Sequence, residues 1–156
     1  MEALQSKHQK ITTAESCTGG RVGGAITSIS GASSVYECGV ISYSNRIKNK
    51  VLGVPKRILE KYGAVSYQTA NDMAKGAMRI SGADIAVSVT GVAGAESEGK
   101  PTGLVFVCAR THEQAWMFEL HLNDPLVGEE SKREYIREMS VQVALLAAIT
   151  ASRSLA

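Results

Sequence analysis

The sequence has few cysteines, almost no net charge and no long apolar run, and each shortage excludes a class of protein. Three cysteines, Cys17, Cys38 and Cys108, occur without CxxC or Cys/His ligand spacing, so neither a disulfide framework nor a zinc site is predicted. No apolar run approaches the roughly 20 residues of a membrane span, and the start, MEALQSKHQK, lacks the apolar core of a signal peptide. We expect a cytoplasmic protein without membrane contact, metal or cofactor.

The charge balance argues against a partner that is a nucleic acid. Seventeen basic and 15 acidic residues give a net charge of +2, too little for a protein dedicated to binding a phosphate backbone. A length of 156 residues with 44% apolar residues suits one globular domain, which we place at residues 1–156. No internal repeat or linker divides it.

The order of apolar patterns predicts the fold. Strands are expected at 11–14, 35–43, 84–90, 104–110 and 115–122, and helices after Gly20, after Ser44, from Pro55, after Ser66 and over 131–153. The run 35–43 reads as a buried strand, Gly31 as the end of the first helix, and the last helix is expected to bury Ile136, Met139, Val143, Leu146 and Ile149. Strands that alternate with helices and end in a hairpin predict a three-layer α/β/α sandwich with a mixed sheet.

Three polar clusters follow predicted strands, at 15–20, 43–48 and 90–94. Because ligands bind beyond the carboxyl ends of strands in such sheets, these clusters are the candidate site. Ser16 stands where a strand turns into a helix, either as a nucleophile or, with Thr18, as a helix cap. No histidine falls in a cluster, and Lys48 is the one lysine close after a strand end, so it is either a base or a solvated helix residue.

Two further alternatives stay open at this point. Cys17 is either a second candidate nucleophile or a small core residue. The glycine-rich loop after Thr90 suits a phosphate or ribose, and equally a plain connection. The residues alone therefore favour an α/β domain with a polar crevice and a Ser/Lys hydrolase as its chemistry.

At these clusters the sequence resembles the CinA C-terminal domain family of competence/damage-inducible proteins, whose stand-alone members include nicotinamide mononucleotide (NMN) deamidases. The likeness is carried by TAESCTGG, GVISYSNRIKNKVLGV, GAVS, SVTGVAG and KPTGLVFV, in the family's order. It implies hydrolysis of the NMN carboxamide to the carboxylate and ammonia, a step of pyridine nucleotide salvage that needs no metal. The chain length suggests the stand-alone form.

The resemblance also assigns roles to matching positions. It implies Ser16 as nucleophile, Lys48 as base and Tyr43 as a hydrogen-bonding relay. For substrate binding it implies an oxyanion site from the N–H groups of Cys17, Thr18, Gly19 and Gly20 with Thr90, and a ribose and phosphate pocket shaped by Asn45, Gly91 and Gly94. Arg133 is a candidate contact to phosphate or carboxamide, because a guanidinium binds phosphate through two bonds; a surface ion pair is the alternative for Arg133 and Arg137.

The sequence departs from the family at two places. Ser131-Lys132 replaces a Gly-Asp pair before the arginines, and residues 94–99 read Gly-Ala-Glu-Ser-Glu-Gly where the family has Gly-Pro-Gly-Gly. Glu96 and Glu98 are expected to repel a phosphate unless Lys100 or an arginine offsets them, and the loop has fewer glycines for positive φ. The alternatives are a hydrolase of another small amide and a non-catalytic nucleotide- or partner-binding module. The apolar last helix and the strand 116–122 also suggest a homodimer.

Overall fold

The computed structural model describes residues 2–155, and a five-stranded sheet forms its centre. The strands are β1 (Ile11–Glu15), β2 (Tyr36–Ile41), β3 (Ile85–Gly91), β4 (Leu104–Arg110) and β5 (Ala115–His121), in the spatial order β2-β1-β3-β4-β5. β1 pairs in parallel with both β2 and β3, whereas β4 is antiparallel to both of its neighbours, β3 and β5. The carboxyl ends of the three parallel strands therefore meet at one edge of the sheet.

Helices cover both faces of this sheet. They are α1 (Glu2–Ser6), α2 (Arg21–Thr27), α3 (Asn45–Lys50), α4 (Lys56–Tyr62), α5 (Tyr67–Ser81) and α6 (Glu129–Ser154), with a short 3-10 helix at Ala32–Ser34. One core is built largely from β1, β3, β4, α2 and α6, and the other brings α5 and the α3–α4 segment onto the opposite side of the sheet. The predicted three-layer α/β/α sandwich with a mixed sheet is confirmed.

α5 illustrates how the sequence encodes these elements. The Ser66 side chain accepts a hydrogen bond from Thr69 N and caps its start, as predicted, and Gly82 ends it with a left-handed φ of 69°. Between these caps the apolar residues recur every three or four positions, so that one stripe is buried, namely Ala70, Met73, Ala74, Ala77 and Met78. That stripe faces β3 and β4.

Residues 35–43 contain a strand, as predicted, but the prediction that this strand is buried is wrong. β2 lies at the edge of the sheet, and its residues alternate between half-buried and exposed, with Ile41 pointing outward. The helix before it is also shorter than predicted: α2 ends at Thr27, Ile29 is exposed, and Gly31 begins the 3-10 helix with a φ of 83°. An apolar β-branched run does not reveal whether its strand is inside or at the edge.

The predicted buried face of α6 is also largely wrong. Ile136 is buried, but Leu146 is 63% exposed, Ile149 is 46% exposed, and Met139 and Val143 are only half-buried. Small residues face the sheet instead, at Ser140, Val141, Ala144, Ala147 and Ala151. Small side chains allow a helix to approach a sheet closely, so residue size decides the buried face here.

Trp116, Phe118 and Leu120 of β5 pack partly buried against the first core of this chain. Nothing in the structure tests the homodimer, which stays a prediction. Among residues 2–155, no helix combines the length and the apolar character required to span a membrane.

Candidate active site

Ser16 directly follows β1 at the carboxyl edge of the sheet. The turn after it needs two left-handed residues, supplied by Gly19 and Gly20 with φ of 60° and 98°. The buried Glu15 carboxylate caps α2, because it accepts hydrogen bonds from the N–H groups of Gly20 (3.0 Å), Val22 (3.1 Å) and Gly23 (2.8 Å). The alternative that Ser16 or Thr18 caps this helix is therefore wrong, and Ser16 Oγ remains available for another contact.

That contact is made by Lys48. The Ser44 side chain caps α3, and one turn later Lys48 lies fully buried, with 1% of its surface exposed. Its Nζ lies 3.0 Å from Ser16 Oγ, 2.8 Å from the Ser42 carbonyl oxygen and 3.2 Å from that of Tyr43. Lys48 is thus not a solvated helix lysine, and the structure brings Ser16 and Lys48 together.

Burial makes it easier for Lys48 to lose its proton. Desolvation lowers the pKa of Lys48 from 10.5 to about 8, although the thiolate of Cys17, where it forms, and the Glu98 carboxylate act in the opposite direction. A protonated lysine has three hydrogens, which match the three oxygens around Nζ. When neutral, it donates two hydrogens to the carbonyls of Ser42 and Tyr43, and its lone pair is left to accept the hydroxyl hydrogen of Ser16.

Two backbone N–H groups beside Ser16 are candidates for an oxyanion site. Within the described residues, the N–H groups of Cys17 and Thr18 donate no hydrogen bond. Those of Gly19 and Gly20 donate to the Ser16 carbonyl and to Glu15 and are therefore occupied. The resemblance implied a donor site spread over residues 17–20, whereas the structure leaves only its first two members free.

The Thr90 hydroxyl does not complete this donor site. It is buried and donates to the carbonyl oxygen of Ala64 at 2.8 Å, so its hydrogen is already used. The neighbouring Gly91 allows close packing, since a Cβ there would lie 2.6 Å from Val105 Cγ2. Both residues line the crevice. Thr90 also fixes the segment before α5 through its bond to Ala64, and the missing side chain of Gly91 lets β4 pack closely.

The Cys17 side chain is unsuited to nucleophilic attack. It is buried, and desolvation raises the pKa of its thiol to about 11, so that the thiolate is scarce at neutral pH. The part of Cys17 that stays a candidate for a role in the site is its backbone N–H group. In residues 2–155, no three His, Cys, Asp or Glu side chains group so as to hold a metal ion.

Ser16 and Lys48 open onto a pocket of about 460 Å³, a volume that suits a small ligand. Tyr43, Asn45, Gly94, Glu98 and Arg133 also line it. The Tyr43 side chain is 64% exposed, and its hydroxyl accepts a hydrogen bond from Arg133 Nη2 at 3.3 Å. Tyr43 reaches Lys48 only through its carbonyl oxygen, so no hydroxyl relay to Ser16 or Lys48 is present among the described residues.

Arg133 and Arg137 lie on the same side of α6, one turn apart, and have different partners. Arg133 Nη1 would be 3.1 Å from a Cβ on Gly94, which explains the small residue there. Arg137 donates from Nε to the Cys17 carbonyl at 3.0 Å and from Nη2 to the Thr18 carbonyl at 3.3 Å. Within the described residues neither arginine forms an ion pair, contrary to the alternative considered for both.

The loop that departs from the family pattern is a tight turn. Ser97 and Lys100 exchange two backbone hydrogen bonds, and the residues between them, Glu98 and Gly99, have φ of 53° and 69°. Two central left-handed residues are the mark of a type I′ turn. Glu98 thus has a positive φ although it is not glycine, and its side chain is held by Asn45 and by the N–H group of Ala64.

Sequence patterns missed the parts of the site that depend on distant contacts. Glu15 lies inside the quoted TAESCTGG motif, and a carboxylate before a glycine turn was a usable signal for a helix cap. Arg137 was noted only as a possible ion-pair partner. Its contact with the Ser16 turn joins segments about 120 residues apart, which no local pattern reveals.

Together, the fold and the site define an α/β domain whose parallel strands end at a buried serine–lysine pair beside a small polar pocket. The model of the CinA C-terminal domain matches residues 1–151. The chain belongs to this family.

Curated relatives and solved structures support the same family assignment. A CinA-like protein of Synechococcus sp. (strain RCC307) is 45% identical over 147 residues, which are 93% of this chain and 34% of that protein. The crystal structure of the competence damage-inducible protein A (ComA) from Klebsiella pneumoniae has a TM-score of 0.85 and 32% identity, and the match covers 94% of this chain and 88% of that one. The competence/damage inducible protein CihA from Agrobacterium tumefaciens has a TM-score of 0.81 and 36% identity, with coverage of 94% and 89%.

The chain spans about one third of the length of the curated relatives it matches. The stand-alone form suggested by its length stays a prediction.

Proposed function

We propose that this domain is a Ser/Lys amidohydrolase that converts the carboxamide of NMN to the carboxylate with release of ammonia. The observation that carries the proposal is the 3.0 Å contact between Ser16 Oγ and Lys48 Nζ in the wall of a ligand-sized pocket. A serine hydroxyl is a weak nucleophile without a base that removes its proton, and a buried lysine with a pKa of about 8 can do so near neutral pH.

In the first half of the reaction, neutral Lys48 takes the hydroxyl proton while Ser16 Oγ forms a bond to the amide carbon. The carbonyl π electrons move to the oxygen, and in this proposal the N–H groups of Cys17 and Thr18, which donate no backbone hydrogen bond among the described residues, stabilise that oxyanion. Such a donor typically contributes about 10² to 10³ in rate. The Ser42 and Tyr43 carbonyls then stabilise the protonated Lys48 that results.

In the second half, protonated Lys48 gives its proton to the amide nitrogen, the C–N bond breaks and ammonia leaves. An ester between Ser16 and the acyl group remains. Water attacks this ester while Lys48 again takes a proton, and the carboxylate product leaves as Ser16 recovers its hydroxyl hydrogen.

The charges of the pocket support a substrate with both signs of charge. Arg133 offers a guanidinium beside Gly94 and Tyr43, and Glu98 offers a carboxylate beside Asn45. NMN carries a positive pyridinium ring and a negative phosphate. An arginine suits the phosphate because its planar donors match phosphate oxygens.

The test is the release of ammonia from NMN by the purified domain, followed together with the formation of the carboxylate product. We expect turnover that falls by at least about 10³-fold in Ser16→Ala and in Lys48→Met. Lys50→Met, which removes an exposed lysine of the same helix, is the matched control and should retain activity. A folded protein that leaves NMN unchanged at high enzyme concentration contradicts this substrate.

Glu98 favours a second candidate, a Ser/Lys hydrolase of another small amide without phosphate. A carboxylate in the pocket wall opposes a dianion. Comparison of NMN with nicotinamide riboside separates the two, because a preference for the riboside assigns the pocket to the second candidate. Binding of either compound without turnover instead supports a non-catalytic binding module.

A further inference from the structure

The Glu98 side chain is held in the pocket wall by hydrogen bonds from two other segments of the chain. Its Oε1 accepts a hydrogen bond from Asn45 Nδ2 at 3.0 Å, and its Oε2 accepts one from the backbone N–H of Ala64 at 2.7 Å. Gly63 leaves the space for it, since a Cβ there would lie 2.8 Å from Glu98 Oε2. The carboxylate thus has a defined position although its own residue is exposed at the surface.

Both donors to this carboxylate are neutral. Within the described residues Glu98 forms no ion pair, and Lys100, expected to offset its charge, does not pair with it. Two hydrogen bonds fix the two oxygens but leave the full negative charge in the pocket wall. This charge acts across the site, because it is one of those that raise the pKa of Lys48.

The opposite charge of the pocket belongs to a different segment. Arg133 comes from α6 and lies beside Gly94 and the Tyr43 hydroxyl, whereas Glu98 is tied to α3 and to the segment between α4 and α5. The pocket therefore presents separate negative and positive groups, each anchored by its own neighbours. A ligand with a cationic part and an anionic part can satisfy both.

We propose that Glu98 is a specificity-determining residue that selects amides whose ring carries a positive charge. The inference rests on the proposed function, because it assigns the ring of the amide substrate to the Glu98 side of the pocket. A pyridinium ring bearing the carboxamide gains a favourable interaction with this carboxylate, and a neutral ring of the same shape does not. The phosphate of NMN then belongs at Arg133, beside Gly94 and the Tyr43 hydroxyl.

The proposal is tested with two small amides of the same shape and different charge. 1-Methylnicotinamide has a cationic ring, and 3-methylbenzamide is its neutral counterpart; neither has a phosphate. Binding to the Ser16→Ala variant, which cannot turn the ligands over, is measured by ligand-observed NMR titration. We expect the cation to bind about fivefold more tightly, the size of effect typical of a partly solvated charge pair.

Two charge-removing variants of the same loop, made in the Ser16→Ala background, serve as the test variant and its matched control. Glu98→Gln should abolish the preference for the cation, and Glu96→Gln, whose residue is exposed and does not line the pocket, should retain it. Equal binding of the two amides, or a preference that survives Glu98→Gln, overturns the inference; so does the failure of both amides to bind. The reaction itself is judged separately, by ammonia release from NMN in the unmodified chain.

Discussion

Lys48 Nζ and Ser16 Oγ lie 3.0 Å apart although 32 residues separate them in the chain. Two backbone carbonyls, of Ser42 and Tyr43, hold the same nitrogen at 2.8 and 3.2 Å. These carbonyls direct two of the lysine hydrogens away from the serine. Most lysines on helices are solvated cations, whereas Lys48 is buried among these oxygens, and its proposed role as a base rests on that environment.

The proposed role of Lys48 predicts that activity rises with pH. Because the base acts only when neutral, and burial lowers the pKa of Lys48 to about 8, kcat/KM for NMN should increase through neutral pH and reach half of its maximum near pH 8. The measurement is the initial rate of ammonia release between pH 6 and pH 10. A rate that is constant or falls over this range would contradict Lys48 as the base.

Removal of the Glu98 charge should shift this pH profile. The negative charge of Glu98 raises the pKa of Lys48, so Glu98→Gln is expected to lower that pKa and move the midpoint of the profile to lower pH. Glu96→Gln is the control, since that residue does not line the pocket. A midpoint that moves upward, or that moves equally in the two variants, would refute the electrostatic link.

The same buried lysine should make folding stability depend on pH. Between about pH 8 and pH 10.5, Lys48 keeps its proton in the unfolded chain but has lost it in the folded chain, so the free energy of unfolding rises with pH. Relative to Lys48→Met, the wild-type chain should gain roughly 2 to 3 kcal/mol between pH 7 and pH 10. Urea denaturation at several pH values measures this difference, with Lys50→Met as the matched control. Parallel curves for the two variants would count against it.

Glu15→Gln should weaken the turn that carries Ser16. The amide replaces one carboxylate oxygen with an NH₂ group that cannot accept, so at least one of the N–H groups of Gly20, Val22 and Gly23 loses its partner. We expect a loss of about 1 to 3 kcal/mol in unfolding free energy, measured by urea denaturation. Glu37→Gln, which removes only an exposed ion pair with Lys10, should cost less than about 1 kcal/mol. Equal losses would show that the cap contributes little.

Much of the fold could be predicted from the sequence because local patterns determine it. The strand Leu104–Arg110 and the cap at Ser66 follow from β-branched runs and from a capping residue before an amphipathic stripe. Which strand lies at the edge of the sheet, and which face of a helix packs on it, depends on contacts between distant segments. For that reason the edge location of β2 and the small-residue face of α6 were not predicted.

The candidate site divides in the same way. Ser16 and Lys48 follow strand ends, and the topology of an α/β sheet brings strand ends together, so their proximity was predictable. The direction of a side chain depends on its tertiary neighbours. Thus the Tyr43 hydroxyl bonds to Arg133 and the Thr90 hydroxyl to Ala64, neither of which the motifs indicated.

Arg137 should act as a positioning residue for the oxyanion site. In a trans peptide the C=O and the following N–H point in opposite directions, so the bond from Arg137 to the Cys17 carbonyl turns the Thr18 N–H away from α6. Arg137→Gln should lower kcat for NMN about tenfold with little change in KM, because the donor matters most when the oxyanion forms. Arg137→Lys should recover only part of this loss, since one ammonium does not reproduce the two-bond fork. Arg21→Gln, which breaks an exposed ion pair with Glu134, is the control and should leave kcat unchanged. If Arg137→Gln lowers stability but leaves kcat intact, its role is structural alone.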